Sequence, residues 1–226
     1  MLTLVLAEAE LELVPRELTR HPAVIGHARQ RGKQPNLMLL DSNYHHAAMN
    51  TLPEGRRRGR PDMTHLFLLT ALESIASKQG NVRIIIHTRN DEMIAVSPET
   101  RIMRNYERFL GLFEQLFEKH IVPDEKHPLL QLQPNKSLHQ IIDELHADAV
   151  IAFSKTGTSV FLQHYFKELE KKNKKNIVCV IGGFPSGSFH EDINTIATEI
   201  ISLYPEMLPV WTVTSEILIN YENVSR

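Results

Sequence analysis

Apolar and polar positions along the chain change period several times, and each change predicts an element. Residues 2–14, LTLVLAEAELELV, predict a first strand with period-2 apolar/acidic alternation at its end. PNLMLLDS predicts a second, fully buried strand ending at Asp41, and HHAAMNTL a short helix. Pro61 stands where a first helical residue is preferred, and Leu66, Leu69, Leu72 and Ile75 then recur at helical spacing until Gly80. VRIIIHTRNDEMIAVSP reads as a hairpin, two β-rich runs about an Arg-Asn-Asp turn. Farther on, Tyr106, Phe109, Phe113, Leu116 and Phe117 fall on one face of a helix.

A proline- and histidine-containing connector, 121–136, separates this half from a stretch of alternating elements. SLHQIIDELHA predicts a helix with Ser137 as N-cap, and DAVIAFS a strand. SVFLQHYFKELEKKNKK predicts a helix with a basic end that suits the helix dipole, and NIVCVIGGF another buried strand. ATEIISLYP adds a last strand before a final helix containing Trp211 and Ile217. Strands alternating with helices imply an α/β fold with a largely parallel sheet. No internal repeat is present, and 226 residues suffice for one large domain.

Composition narrows the class. The chain is 42% hydrophobic and 23% charged, ordinary for a soluble globular protein. Its one cysteine, Cys179, excludes an internal disulfide framework and a Cys-rich zinc site, and its apolar surroundings predict an inert buried thiol. The N-terminus lacks the basic start of a signal peptide, and no apolar run approaches the ~18 residues of a membrane span, so a cytoplasmic protein is expected. With a net charge of −2, any nucleic-acid binding has to come from local patches.

Such patches exist. EGRRRGRPDMTH places Arg56, Arg57, Arg58 and Arg60 within five positions. Arg60 and Asp62 flank Pro61; they form either a surface ion pair worth ~0–1 kcal/mol or an aspartate that aims an arginine at a ligand. If residues 104–117 are helical, Arg104 and Arg108 share a stripe opposite Phe109 and Phe113, with Arg101 extending it. That stripe suits either phosphate tracking or plain solvation. IGGFPSGSF, 181–189, puts three glycines after a buried strand, where open α/β sheets bind ligands and glycine admits close backbone approach. It is neither a P-loop nor the dinucleotide fingerprint, and an ordinary tight turn is equally open. His45, His46, His65 and His87, with Asp41, match no metal-binding template, and no metal is expected.

Taken together and in order, LLDSNYHHAAMNTL, RRGRPDMTHLFLL, ETRIMRNYERFLGLFEQLF, IGGFPSGSF and ISLYPEMLPVWTV resemble the ribosome-biogenesis pseudouridine-N1 methyltransferases, the nucleolar essential protein family of the SPOUT class, in its compact archaeal form. The resemblance covers nearly the whole chain. It implies an α/β SPOUT fold with a C-terminal deep trefoil knot, a mostly parallel sheet flanked by helices, and a β-hairpin insertion. Residues 1–226 would be a single SPOUT methyltransferase domain, working as a homodimer. Its 1–120 half would carry the hairpin and the RNA-binding arginines, and its 137–226 half the knot and cofactor site.

The implied cofactor is S-adenosyl-L-methionine, held by Phe153 and Ser154, by Gly182, Gly183, Phe184 and Gly187, and by Ser202, Leu203, Tyr204, Pro205, Met207 and Leu208. Arg60, Arg101, Arg104 and Arg108 match the RNA-contacting arginines, Arg56, Arg57 and Arg58 are placed with them on phosphates, and Asp62 matches the aspartate that orients Arg60. Arg60 and Asp62 would be the catalytic pair, Asp62 as orienter first and proton acceptor second, since a carboxylate held by arginine is a weak base. Two departures stand out: Ser186 and Ser188 where many archaeal relatives carry His and Asp, and Met103 where proline is common. The expected reaction is methyl transfer to N1 of a pseudouridine in small-subunit ribosomal RNA, with no membrane or metal partner. The other readings are a non-catalytic RNA-binding assembly factor on the same fold, which an intact cofactor pocket would argue against, and a SPOUT enzyme acting on a different RNA atom.

Overall fold

The apolar run at the N-terminus forms β1 (Leu2–Ala9), and its side chains enter two cores: Leu2, Leu4 and Leu6 on one face, Val5 and Ala7 on the other. The computed structural model describes residues 1–225. After β1 come α1 (Pro22–Arg31), α2 (Ser42–Met49), α3 (Pro61–Leu72), α4 (Ile75–Lys78) and the hairpin of β2 (Val82–Thr88) and β3 (Met93–Val96). The chain continues through α5 (Tyr106–Lys119), β4 (Ile121–Val122), β5 (Leu130–Gln133) and α6 (Leu138–Glu144). It ends with β6 (Ala149–Ser159), α7 (Leu162–Lys171), β7 (Ile177–Gly182), α8 (Ile193–Ile196), β8 (Glu199–Ser202) and α9 (Val210–Ser225).

The eight strands of the described residues form one sheet, ordered β4-β5-β3-β2-β1-β7-β6-β8. The five from β2 to β8 run parallel, and β3, β5 and β4 add an antiparallel flank. Phe67 and Leu68 of α3, Phe109 and Phe113 of α5, Phe166 of α7 and Ile217 of α9 cover one face. Ile141 and Ile142 of α6 and Ile196 of α8 cover the other. This is the α/β, mostly parallel sheet flanked by helices that the strand–helix alternation predicts, hairpin included. Ser137 caps α6 through a full capping box with Gln140.

Four expectations are corrected. Residues 35–41 are not a strand: Pro35–Leu37 is a 3-10 turn that is not buried, and of the buried residues 38–41 Leu39 makes only an isolated bridge to Leu13. Their side chains feed a separate core of α1 and α2, with Val24, Met38, Leu40 and Met49. The apolar face of α3 is set by Met63, Phe67, Leu68 and Ala71, whereas Leu66 and Ile75 are exposed, because α3 packs on both the sheet and α9. The 121–136 stretch is no linker, since β4 and β5 pair there with the main sheet. Finally, α5 begins at Tyr106 with Asn105 capping the Arg108 amide, so Arg101 and Arg104 lie before the helix, not on a helical stripe.

The α1–α2 unit is anchored to α5 by one buried carboxylate. Glu114, 4% exposed, accepts from Arg31 at 2.5 and 3.1 Å, from Lys33, and from the Leu39 amide at 3.2 Å. Burying that charge is tolerable because each oxygen is both hydrogen-bonded and ion-paired.

Candidate active site

The carboxyl ends of β6, β7 and β8 open into a cleft of about 1040 Å³. Open α/β sheets bind ligands at this end because connecting loops diverge there and leave backbone groups unpaired. Of the residues expected at a cofactor, Phe153, Ser154, Gly182, Phe184, Gly187, Ser202, Leu203, Tyr204, Met207 and Leu208 line the cleft. Gly183 and Pro205 do not.

The glycines have separate reasons. A Cβ on Gly183 would lie 2.6 Å from the Ala9 Cα, and its amide and carbonyl bond to Ala7 and Glu10; this glycine serves the contact of β7 with β1, not ligand access. A Cβ on Gly182 would strike the Phe184 ring at 2.8 Å, so the ring is folded over that position. Gly187 has φ +92°, a conformation that side chains rarely tolerate. Gly157 lets the irregular end of β6 press on β8: a Cβ there would come within 2.6 Å of the Ile201 carbonyl carbon.

Arg60 and Met63 also line this cleft, although they belong to the other half of the chain. Pro61 starts α3, and the first turn aims Arg60 and Asp62 together: Nε donates to Oδ1 and Nη2 to Oδ2, both at 2.8 Å. This two-pronged geometry fixes the guanidinium plane, and the Asp62 carboxylate raises the Arg60 pKa, keeping the charge permanent. Beside the pair sits Asp41, 1% exposed, accepting from Tyr106 Oη at 2.7 Å and from the Asn43 amide at 2.8 Å. Burial raises the Asp41 pKa against the opposing pull of those bonds. The sequence pattern places Asp41 at a strand end or in the unmatched histidine cluster, and Tyr106 on an apolar helix face; neither predicts this bond between them.

Arg101, Arg104 and Arg108 are exposed next to this corner. His65, one turn into α3, donates Nε2–H to the Met103 carbonyl at 2.7 Å and stacks on Phe109 at 4.4 Å, pinning the 101–105 segment against the start of α3. Arg56 is exposed as well. Arg57 and Arg58 are not free for phosphates, and that expectation is revised. Arg58 makes a bidentate pair with Glu12, both bonds 2.7 Å. Arg57 is 7% exposed and donates to Glu8, Glu10 and the Ser188 carbonyl. The alternation EAELE reads only as the end of a strand; Glu8, Glu10 and Glu12 are buried and partner the arginine loop.

The histidines serve other ends. His45 Nδ1 accepts the Asp41 amide, which leaves its Nε2–H to donate to His27 Nδ1 at 2.9 Å. Burial pushes the His45 pKa down to about 4. Among the described residues, His87, Asp91 and Glu191 are close enough to share an ion. However, His87 Nδ1 accepts the Glu8 amide, so its proton sits on Nε2, 3.1 Å from Asp91 Oδ1. The arrangement is a hydrogen bond in which the ring nitrogen facing Asp91 has no lone pair to offer a metal.

Known proteins share this architecture. The EMG1/NEP1 methyltransferase family model matches residues 4–222. The Ribosomal RNA small subunit methyltransferase Nep1 of Methanothrix thermoacetophila is 49% identical over 223 residues, 99% of this chain and 96% of that one. The protein of the same name from Thermococcus onnurineus is 48% identical over 99% of each chain. A crystal structure of Archaeoglobus fulgidus Nep1 bound to S-adenosylhomocysteine superposes with a TM-score of 0.86 at 34% identity, over 99% of this chain and 98% of that one.

Proposed function

Because the chain belongs to the EMG1/NEP1 methyltransferase family, we propose that it methylates small-subunit ribosomal RNA from S-adenosylmethionine, and that the atom methylated is N1 of a pseudouridine. The observation that carries this reading is the position of Arg60, which reaches from the arginine-rich half into a cleft otherwise built by the glycine-rich half.

The cleft fits the donor. Phe184 folded over Gly182 and the 202–208 segment offer backbone groups beside the apolar Leu203, Met207 and Leu208, the mixture that an adenosine with a charged tail requires. When bound, S-adenosylmethionine supplies an activated methyl group. Pseudouridine exposes an N1–H that uridine lacks, so the nucleophile is a ring nitrogen that must shed a proton, which passes to water or to Asp62. Arg60, held flat by Asp62, stabilises negative charge developing on the base, and alignment of N1 supplies most of the remaining acceleration. Arg101, Arg104 and Arg108 grip phosphates flanking a base turned out of its helix.

The homodimer is supported by the large apolar side chains exposed around the cleft end, with Phe161 at 68%, Tyr204 at 53% and Met207 at 49%. The C-terminal trefoil knot is inferred from the chain's membership of the family and its superposition on the Archaeoglobus fulgidus protein over 99% of its length. No described helix is long and apolar enough to cross a membrane, and we assign the protein to the cytoplasm on the nature of its substrate. The test is methyl-labelled S-adenosylmethionine with a small-subunit rRNA transcript carrying pseudouridine. Label in the RNA is expected. No label, from a protein that binds both ligands, would leave a non-catalytic assembly role.

A further inference from the structure

The arginine loop and the glycine loop meet at one buried side chain. Arg57 Nε donates to Glu10 at 2.7 Å, Nη2 to Glu8 at 2.6 Å, and Nη1 to the Ser188 carbonyl at 2.6 Å. Its guanidinium carbon lies 3.8 Å from the centroid of the Phe184 ring. The two glutamates close the end of β1, whereas Phe184 and Ser188 belong to the turn that walls the cleft. Between those two residues Gly187, at φ +92°, bends the chain so that ring and carbonyl reach the same guanidinium. Glu8 holds the far end of the turn as well, accepting the His190 amide at 2.8 Å and the Glu191 amide at 3.0 Å, from a backbone itself in the left-handed region at φ 50°.

A guanidinium meant only to neutralise Glu8 and Glu10 would need no bond to a loop carbonyl and no aromatic face. One meant for RNA would be exposed. We propose that Arg57 is a positioning residue for the cofactor: it folds the 184–188 turn into the shape that forms one wall of the cleft, acting through Phe184 and the Ser188 carbonyl. The flat fork can satisfy three acceptors and stack at once, which a lysine ammonium cannot. The inference rests on the reading of the cleft as the S-adenosylmethionine site.

The test is Arg57→Lys, which keeps the charge beside Glu8 and Glu10, with Arg57→Met as the fuller deletion. S-adenosylhomocysteine affinity is read by calorimetry, and affinity for a pseudouridine hairpin RNA is read without cofactor. The Lys variant should stay folded at a lowered melting temperature, bind the hairpin within about twofold, and lose about tenfold or more in S-adenosylhomocysteine affinity, the scale seen when a supporting partner of a ligand site is removed. KM for S-adenosylmethionine should rise while kcat at saturation holds. Phe184→Leu on wild-type and Arg57→Lys backgrounds should give non-additive losses, because both act on the same turn. Wild-type cofactor affinity in Arg57→Lys, a loss confined to RNA, or strictly additive losses would overturn the proposal, even if Arg57→Met fails to fold. Absence of S-adenosylhomocysteine binding by the wild-type protein would instead count against the assignment of the cleft.

Discussion

At the level of single residues, the site depends on which arginines are held and which are free. Arg60 is held by a neighbour two positions away, and both side chains keep about a third of their exposure, 29% and 31%. A pair that open contributes little to stability, ~0–1 kcal/mol, so its value lies in geometry. Asp62→Asn should therefore melt close to wild type and bind cofactor normally, yet lose about 10²-fold in kcat, the scale of one misplaced transition-state donor. Single-turnover methyl transfer checks it; a large drop in melting temperature instead would make Asp62 a folding residue. Arg104 is exposed and free of any such duty. Arg104→Ala should weaken RNA binding about tenfold and reduce the salt dependence by about one counterion, with cofactor affinity unchanged. Equal loss of both affinities would contradict this. The Arg60–Asp62 pair was legible because its partners are adjacent in the chain. The burial of Arg57 was not, because Glu8, Glu10 and Ser188 are distant and periodicity says nothing about which charges will meet.

Elements were legible where they satisfy their own local rules. The capped helix α6, the strongly amphipathic α5 from Tyr106 onward and the β2–β3 hairpin follow from spacing and turn chemistry. Misreadings occurred where burial has another cause. Met38 and Leu40 are buried because α1 and α2 cover them, and in α3 the small Thr64 and Ala71 are buried while Leu66 is not. The α1–α2 unit also carries a pH response. His45 is neutral in the folded protein, its pKa pushed by burial from 6.5 to about 4. A depressed folded value means that the unfolded chain takes up the proton first. The contribution of His45 is thus complete above pH 6.5 and is lost as pH falls toward 4, by about 1.4 kcal/mol per pH unit at most. Denaturant melts at several pH values should show this slope in wild type and a flatter one in His45→Gln. The same slope in both would place the acid sensitivity elsewhere.

At the scale of the molecule, the informative fact is strand order. Periodicity predicted β1, β2, β3, β6, β7 and β8, missed β4 and β5, and could not say that β7 slots between β1 and β6, pairing Ile177 with Leu2 on one side and with Ala149 on the other. That insertion brings the 182–191 loop over the end of β1 and beside α3, so that a cofactor wall, an arginine loop and Arg60 share one cleft. Neither half forms the site by itself, which is why the resemblance of motifs to a family was informative where spacing was not.

The most direct measurement is methyl transfer to two RNA hairpins that differ at a single position, pseudouridine or uridine, with the product located by mass spectrometry. Methylation of the pseudouridine RNA alone, at a base nitrogen, is the predicted result. Equal methylation of both, or a methyl group on ribose, would contradict the assignment of N1 as the nucleophile.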